Sequence, residues 1–327
     1  MGVPLASRRR LLRVGVAGSA SALAGCLFGS VGADAPTVRG TSALDDRSIY
    51  SEKRCFLSTR LLRDRGLRVG DQVRLRHADD PDRYANFTVT TALSPLSPTV
   101  WLSDGGQRRL GDEAPFRVRV SSRAVRSRLS PAQANARTEI TERTANARDG
   151  RVAVTTPHGG EIEPRVSRQV RTCGERLRTA GVPAARYAAL GYGDAVMGAF
   201  DRWHVTSTDV SPRSYPEFGR LLERSYDFAV AFHGLADDRL VVGGLAPRRV
   251  KATLKRRLEG TVDVPVRVAE EVPDARTGGR SPANFVNRIA PGRSLQLEQP
   301  LAVRRRSGDA VARTVAEVVA SHVATSA

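Results

Sequence analysis

Three of the five histidines in the chain occur at or directly after apolar runs that have the character of β-strands. They are His158, His204 and His233, and glycine follows two of them. Residues at the carboxyl ends of parallel strands meet in one crevice of an open sheet. Imidazole and carboxylate groups are the usual ligands of catalytic zinc, which keeps a fourth position for water. The pattern therefore predicts a metal site at a sheet edge, although a single strand-end histidine is more often structural.

Carboxylates are available to complete this site. Glu163 lies five residues after His158, and the Gly159-Gly160 pair between them allows the chain to fold back on itself. Glu161 lies three residues after His158 and is the rival ligand. Glu298 ends another strand-like run and can face the same crevice. A carboxylate beside a zinc-bound water can act as a general base, because the metal lowers the pKa of that water to about 7.

Residues 151–327 contain the elements that must position these groups. Short strand-like runs alternate there with segments of helical spacing. The strand-like runs are 152–154, 227–232, 240–242, 264–268 and 295–298, and the helical segments include 167–179 and 311–323. This alternation predicts an α/β domain with a mostly parallel sheet and flanking helices.

Residues 45–125 have a different pattern, in which polar and apolar residues alternate as they do in half-buried strands. The alternation is clear over 71–76, 87–90 and 116–120. The turn at 66–71 resembles a turn of small double-psi-type barrels. We therefore expect a small, β-rich, barrel-like domain before the α/β domain. Residues 126–150 are polar and are expected to form a linker, or alternatively a surface helix.

Residues 1–26 resemble an export signal. A basic run with paired arginines precedes a weakly apolar stretch that is too short to span a bilayer, as in twin-arginine signals. The sequence Leu-Ala-Gly-Cys resembles a lipobox, in which Cys26 would receive the lipid. Residues 27–44 are rich in small residues and are expected to form a flexible tether. We therefore expect an exported protein, either a cell-surface lipoprotein held to the membrane by its lipid anchor or an extracellular protein.

The composition is that of a globular protein, but the charge is strongly positive. Arginine and lysine number 52 against 34 acidic residues, a formal charge of +18, and only three of the basic residues are lysines. Such a surface attracts polyanions, although an arginine-rich composition can also reflect genomic base bias. No nucleic-acid-binding motif is present, so we expect no nucleic-acid partner.

Two cysteines remain after Cys26, namely Cys55 and Cys173. In an exported protein they could form a disulfide, and two buried free thiols are the alternative. The sequence does not decide between the two states.

Five ordered blocks of sequence together resemble one known family. They are Pro157–Glu163 (PHGGEIE), Trp203–Ser207 (WHVTS), Phe232–Gly234 (FHG, with Gly243-Gly244 following), Asn284–Arg288 (NFVNR) and Gln296–Glu298 (QLE). In this order they resemble the zinc-dependent poly-γ-glutamate hydrolases of phage and bacteria, which are relatives of the zinc carboxypeptidases. The resemblance covers roughly residues 150–306.

The resemblance implies a carboxypeptidase-like α/β fold with one zinc ion. His158, Glu163 and His233 match the ligand positions of the family, and Glu298 matches its catalytic glutamate. Glu161 falls at a variable position of the motif. The resemblance therefore favours Glu163 over Glu161.

Three further residues are candidates for substrate binding: His204, Asn287 and Arg288. His204 could orient the substrate or stabilise an oxyanion, and Arg288 could pair with a substrate carboxylate. Asn287 could donate a hydrogen bond to substrate. A structural role is the alternative for each of them.

The chain departs from the family pattern directly after Glu163. The family usually continues Glu-x-Gly-Thr-Ser-Glu, whereas residues 163–168 read Glu-Pro-Arg-Val-Ser-Arg. Arg165 and Arg168 therefore replace a small and an acidic residue.

We expect an exported zinc-dependent amidohydrolase that cleaves γ-glutamyl bonds in poly-γ-glutamate or a similar acidic polymer. The alternatives are the same chemistry on cell-wall peptide, or a non-enzymatic, lipid-anchored module that binds polyanions.

Overall fold

The computed structural model describes residues 35–41, 51–95, 97–146, 150–272 and 278–325. These residues form a β-barrel followed by an α/β domain, as the sequence predicts. The predicted export signal (1–26), including Cys26, lies outside the described residues. Among the described residues, none of the helices combines the length and the apolar character that a membrane span requires.

Six strands close into the barrel in the order β1-β5-β2-β4-β3-β6. They are β1 (Thr37–Gly40), β2 (Arg54–Ser58), β3 (Gln72–His77), β4 (Tyr84–Leu93), β5 (Thr99–Leu102) and β6 (Phe116–Ser121). Helices α1 (Thr59–Arg65) and α2 (Asp104–Leu110) follow β2 and β5, and serine side chains cap their first turns. Alternate residues of the strands, such as Val73 and Leu75, are buried in the barrel interior. The apolar residues of the alternating pattern, which predicted these strands, therefore fill the barrel core.

The α/β domain contains a seven-stranded sheet in the order β12-β11-β13-β10-β8-β9-β7. Its strands are β7 (Ile140–Ala145), β8 (Val152–Gly160), β9 (Ala184–Gly191), β10 (Phe228–Gly234), β11 (Leu240–Gly243), β12 (Val266–Val268) and β13 (Ser294–Gln299). The central strands β13, β10, β8 and β9 are parallel, whereas β7 pairs antiparallel with β9 and β11 pairs antiparallel with β13. The sheet is therefore mixed and mostly parallel.

Helices cover both faces of this sheet. They are α3 (Pro131–Ala136), α4 (Val166–Thr179), α5 (Ala199–Trp203), α6 (Pro216–Leu222), α7 (Arg248–Glu259), α8 (Phe285–Ile289), α9 (Leu301–Arg306) and α10 (Gly308–Thr325), with a 3-10 turn at Ala269–Glu271. Val152 and Val154 of β8 face the core formed with α4, α7 and α10. Ala153, between them, faces the second core, which contains residues of α5, α6 and α8. Apolar residues on both faces explain the continuous apolar runs of the central strands.

Two predicted boundaries are wrong. Residues 37–40, assigned to the flexible tether, form β1 and pair with β5 and β6. Residues 126–150, assigned to a linker or a surface helix, contain the short helix α3 but also the edge strand β7, which neither alternative predicted. Both segments are held by partners far along the chain, which a local sequence pattern does not reveal.

The barrel and the sheet share a buried ion pair. Arg74 of the barrel donates to both oxygens of Glu139, at 2.8 and 2.7 Å, and its side chain is fully buried. The guanidinium also lies 4.8 Å from the ring centroid of Trp203. Tyr84 of the barrel is part of the second sheet core. These contacts fix the barrel against the face of the sheet that carries α5.

The two cysteines are both free and buried. Cys55 lies in the barrel core, whereas Cys173 lies between α4 and the sheet. The structure therefore supports two separate buried thiols rather than a disulfide. Burial raises the pKa of each thiol, which keeps both protonated.

Candidate metal centre

His158 lies near the carboxyl end of the central strand β8, and its side chain is buried. Its Nε2 donates to the carbonyl oxygen of Val205 at 2.7 Å. This hydrogen bond places the ring hydrogen on Nε2 and leaves Nδ1 as a lone-pair donor. Nδ1 lies 3.0 Å from Oε1 of Glu163. Two atoms that carry lone pairs and no hydrogen, Nδ1 of His158 and Oε1 of Glu163, thus face each other. A cation between them stabilises this arrangement.

The glycine pair after His158 makes this approach possible. Gly160 has a positive φ of 71°, and a Cβ there would come within 2.5 Å of the carbonyl oxygen of Gly191. The amide of Glu163 donates to the carbonyl of His158 at 3.0 Å, which closes the turn. Glu161 points away and accepts from the amide of Gly193 at 3.0 Å. The structure therefore brings Glu163, rather than Glu161, to His158.

Glu163 is surrounded by imidazoles. Nε2 of His204 lies 3.6 Å from its Oε1, and Nδ1 of His233 lies 3.6 Å from its Oε2. Gly234 donates its amide to Oε2 at 2.8 Å. Burial alone would raise the pKa of Glu163, but the three neighbouring imidazoles, His158 foremost, hold this pKa well below its ordinary value. Glu163 is therefore a buried carboxylate anion at the centre of the cluster.

The donor set is suited to a metal ion. Ligand atoms of His158, Glu163 and His204 lie within 4.8 Å of one another and could hold one ion. Nδ1 of His233 lies 3.2 Å from Nδ1 of His158 and so joins the same cluster. Within the described part of the chain, buried Nδ1 of His204 and Nε2 of His233 have no hydrogen-bond partner. This set of three imidazoles and one carboxylate contains the ligand types that zinc prefers.

Glu298 lies beside this cluster. It is in register with His233 on the neighbouring parallel strand and is buried. Its Oε1 accepts a hydrogen bond from Nε2 of Gln296 at 2.7 Å. Burial raises the pKa of the Glu298 carboxyl to about 7, although the charge of His233 opposes this shift. A carboxyl with a pKa near neutrality can both accept and return a proton.

His204 joins the cluster from an element that the sequence did not predict. It follows the short helix α5 rather than a strand, because residues 199–203 are helical and pack against the barrel. Its ring lies 4.0 Å from the ring of His158 and 4.3 Å from that of Phe200. Burial, followed by the neighbouring His158, lowers the pKa of His204 to about 3. His204 is therefore a neutral imidazole.

Asn287 and Arg288 are held by contacts within the protein. Nδ2 of Asn287 donates to the carbonyls of Gly279 and Ser281, each at 2.7 Å, and its Oδ1 accepts from Ser294. Arg288 donates to the carbonyl of Val210 at 2.7 Å. It lines a cavity between the barrel and the α/β domain. Contact of these two residues with substrate stays a prediction.

Two residues near the cluster have no local sequence signal. Lys53 comes from the barrel, and its Nζ lies 4.6 Å from the ring centroid of Phe200, which packs on His204. Among the described residues, Lys53 has no carboxylate within ion-pair distance, whereas the other two lysines pair with glutamates. Arg304 lies against Gly234, the residue after His233. Lys53 is about a hundred residues from the motif, and Arg304 is one arginine in a run of three, so neither could be selected from the sequence.

Fold and site together define a metal-dependent hydrolase with a mostly parallel α/β sheet. The chain belongs to the poly-gamma-glutamate hydrolase family, whose model matches residues 129–316, more than half of the 327-residue chain. This confirms the family that the five blocks resemble. No curated protein sequence matches the chain.

Several solved structures are similar in fold. Zinc-free YndL is 21% identical, with a TM-score of 0.43, and the match covers 61% of this chain and 93% of YndL. A metallo-carboxypeptidase from Pseudomonas aeruginosa is 12% identical, with a TM-score of 0.37, over 76% of this chain and 80% of the enzyme. Because both TM-scores lie below 0.5, the family assignment depends on the family match alone.

Proposed function

We propose that this protein is a zinc-dependent hydrolase that cleaves γ-glutamyl amide bonds in poly-γ-glutamate or a similar acidic polymer. The observation that carries the proposal is the buried cluster of imidazoles around Glu163, with Glu298 directly beside it. Membership of the poly-gamma-glutamate hydrolase family supports the substrate class.

The ring geometry favours His233 over His204 as the third ligand. Two imidazoles that bind one tetrahedral zinc through nitrogens about 2.0 Å from the ion have ring centroids about 5 Å apart. The rings of His158 and His233 are 5.0 Å apart and inclined at 74°. Those of His158 and His204 are 4.0 Å apart and inclined at 34°, which is closer and more nearly parallel than two such ligands allow. We therefore assign the ligands to His158, Glu163 and His233.

Zinc held by these residues would polarise the scissile carbonyl and lower the pKa of a bound water. Glu298 accepts a proton from the attacking water as the C–O bond forms, and it then returns this proton to the leaving nitrogen as the C–N bond breaks. Gln296 holds the Glu298 carboxylate in place through its hydrogen bond. We assign to His204, a neutral imidazole whose buried Nδ1 has no hydrogen-bond partner among the described residues, the role of donating a hydrogen bond to the developing oxyanion.

The charge of the protein supports an acidic substrate. The formal charge is +18, and arginine accounts for nearly all of the positive charge. The guanidinium group matches a carboxylate with two parallel hydrogen bonds. A polymer that carries one carboxylate on every residue is therefore a suitable partner.

We also propose that the protein is exported and anchored to the membrane through Cys26. The proposal depends on the basic run and the lipobox-like sequence that precedes Cys26. Labelling with a radioactive fatty acid tests it. We expect the wild-type protein to take up label and Cys26→Ala to take up none, and equal labelling of both would contradict the anchor.

The substrate is tested by incubation of the zinc-loaded protein with poly-γ-glutamate, poly-α-glutamate and cell-wall peptide. We expect the γ-linked polymer to become shorter, with one new amino group for each cut. Cleavage of cell-wall peptide alone would replace the proposed substrate with the second candidate. Absence of zinc from the native protein, together with absence of cleavage, would leave only a polyanion-binding role.

A further inference from the structure

A surface cavity of about 360 Å³ lies beside the metal centre, and we call it the arginine pocket. Six arginines line it: Arg165, Arg168, Arg304, Arg305, Arg306 and Arg313. Among the described residues that line it, Asp309 is the one acidic side chain. The pocket is formed by the start of α4, by α9 and by the start of α10.

Most of this positive charge is not neutralised within the protein. Arg168 pairs with Asp309, with its Nε 2.9 Å from Oδ1. In the part of the chain that the structure describes, the other five arginines form no ion pair. Guanidinium groups that converge at one place repel each other unless an anion lies between them. The pocket therefore has the charge of an anion site.

Arg304 connects the pocket to the metal centre. It is 8% exposed, and it donates to the carbonyl oxygens of Gln299 and Pro164 at 3.2 and 2.5 Å. Both acceptors are neutral, and among the described residues no carboxylate lies within ion-pair distance of the guanidinium; the opposing charges that act on it are those of Glu163 and Glu298 in the metal centre. A Cβ on Gly234 would come within 2.7 Å of Nη2 of Arg304. The guanidinium thus lies against the residue that follows His233.

Arg165 provides an independent observation. Its φ is 82°, in the left-handed region that favours glycine. A bulky residue is strained there, and such strain is concentrated at functional sites. The chain therefore accepts backbone strain and gains a guanidinium at the edge of the pocket.

We propose that the arginine pocket is an anion subsite that binds carboxylates of the polymer on one side of the scissile bond. This inference rests on the proposed function for the identity of the polymer. Arg304 meets the carboxylate nearest the cleaved bond, and the outer arginines meet carboxylates further along the chain. Each guanidinium forms charge-assisted hydrogen bonds with a carboxylate.

The test measures binding of fluorescently labelled poly-γ-glutamate to the full chain. All variants carry Glu298→Gln, so that the polymer stays intact. Arg165→Gly removes one charge and relieves the strain, and Arg313→Glu reverses one charge in the pocket. Arg171→Glu is the matched control, because Arg171 is exposed on α4 but does not line the pocket.

We expect each pocket variant to weaken binding about tenfold, as the loss of a hydrogen bond to a charged group does. The control should change affinity by less than about twofold, since Arg171 lies outside the pocket and acts on the polymer only over a distance at which salt screens its charge. Arg165→Gly should also keep or raise the thermal unfolding midpoint, so that weaker binding cannot reflect misfolding. Wild-type affinity in both pocket variants, or an equal loss in Arg171→Glu, would overturn the subsite. Because binding is read without cleavage, this outcome is distinguishable from failure of the proposed hydrolase activity.

Discussion

Replacement of His233 by alanine is expected to lower zinc affinity far more than replacement of His204. Four-ligand protein zinc sites bind with about 10–16 kcal/mol, or about 3–4 kcal/mol for each ligand. Loss of one ligand should therefore weaken binding by about 10²–10³-fold. His204 packs on His158, and its Nε2 lies 3.6 Å from Oε1 of Glu163. A residue in this position orients the two ligands without binding the ion itself. Loss of such support typically weakens binding by about tenfold or somewhat more.

Competition with a chromophoric chelator at neutral pH measures these affinities. His322→Ala is the matched control, because His322 packs on Phe228 at the opposite end of β10 from His233. We expect its zinc affinity to be that of the wild type. If His204→Ala lost zinc and His233→Ala kept it, the ring geometry would be a misleading guide, and the ligand set would be His158, Glu163 and His204.

Three further predictions concern residues around the centre. Arg74→Met should destabilise the protein by about 3–5 kcal/mol, because it leaves the Glu139 carboxylate buried without its main partner; a wild-type urea midpoint would contradict this. Lys53→Met should raise the KM for the acidic polymer several-fold at low salt and leave zinc content unchanged, since one partly exposed charge contributes about 1 kcal/mol; an unchanged KM would show that Lys53 makes no substrate contact. Glu161→Gln should bind zinc as the wild type does, because its carboxylate accepts from Gly193 rather than facing the imidazoles; loss of zinc in chelator competition would make Glu161 a ligand.

The features that sequence could predict are those set by local pattern. The apolar runs of β8, β10 and β13 are buried on both faces, so they were recognisable as central strands. His233 and Glu298 occur at the ends of two of these strands, and parallel pairing brings them into register. The glycine pair after His158 fixed the direction of Glu163. The meeting of these residues could be predicted because the ends of the central strands and the glycine turn are both recognisable in short stretches of sequence.

The features that sequence could not predict depend on distant partners. Strand β1 is only four residues long and is held by β5 and β6. Strand β7 is an edge strand whose polar residues are typical of a linker. Its pairing with β9 makes it a strand, and the local sequence does not reveal this pairing. Lys53 reaches the site only because the barrel packs on the face that carries Phe200. Long-range packing of this kind leaves no period in the sequence.

The activity of Glu298→Gln tests the central claim most directly. A general base typically contributes about 10²–10⁴-fold to the rate, so the variant should cleave poly-γ-glutamate more slowly by that factor. Because Glu298 is not assigned as a ligand, the variant should retain one zinc ion per chain in metal analysis. Loss of cleavage with zinc retained is the predicted result. Wild-type cleavage by Glu298→Gln, with one zinc bound, would contradict the account.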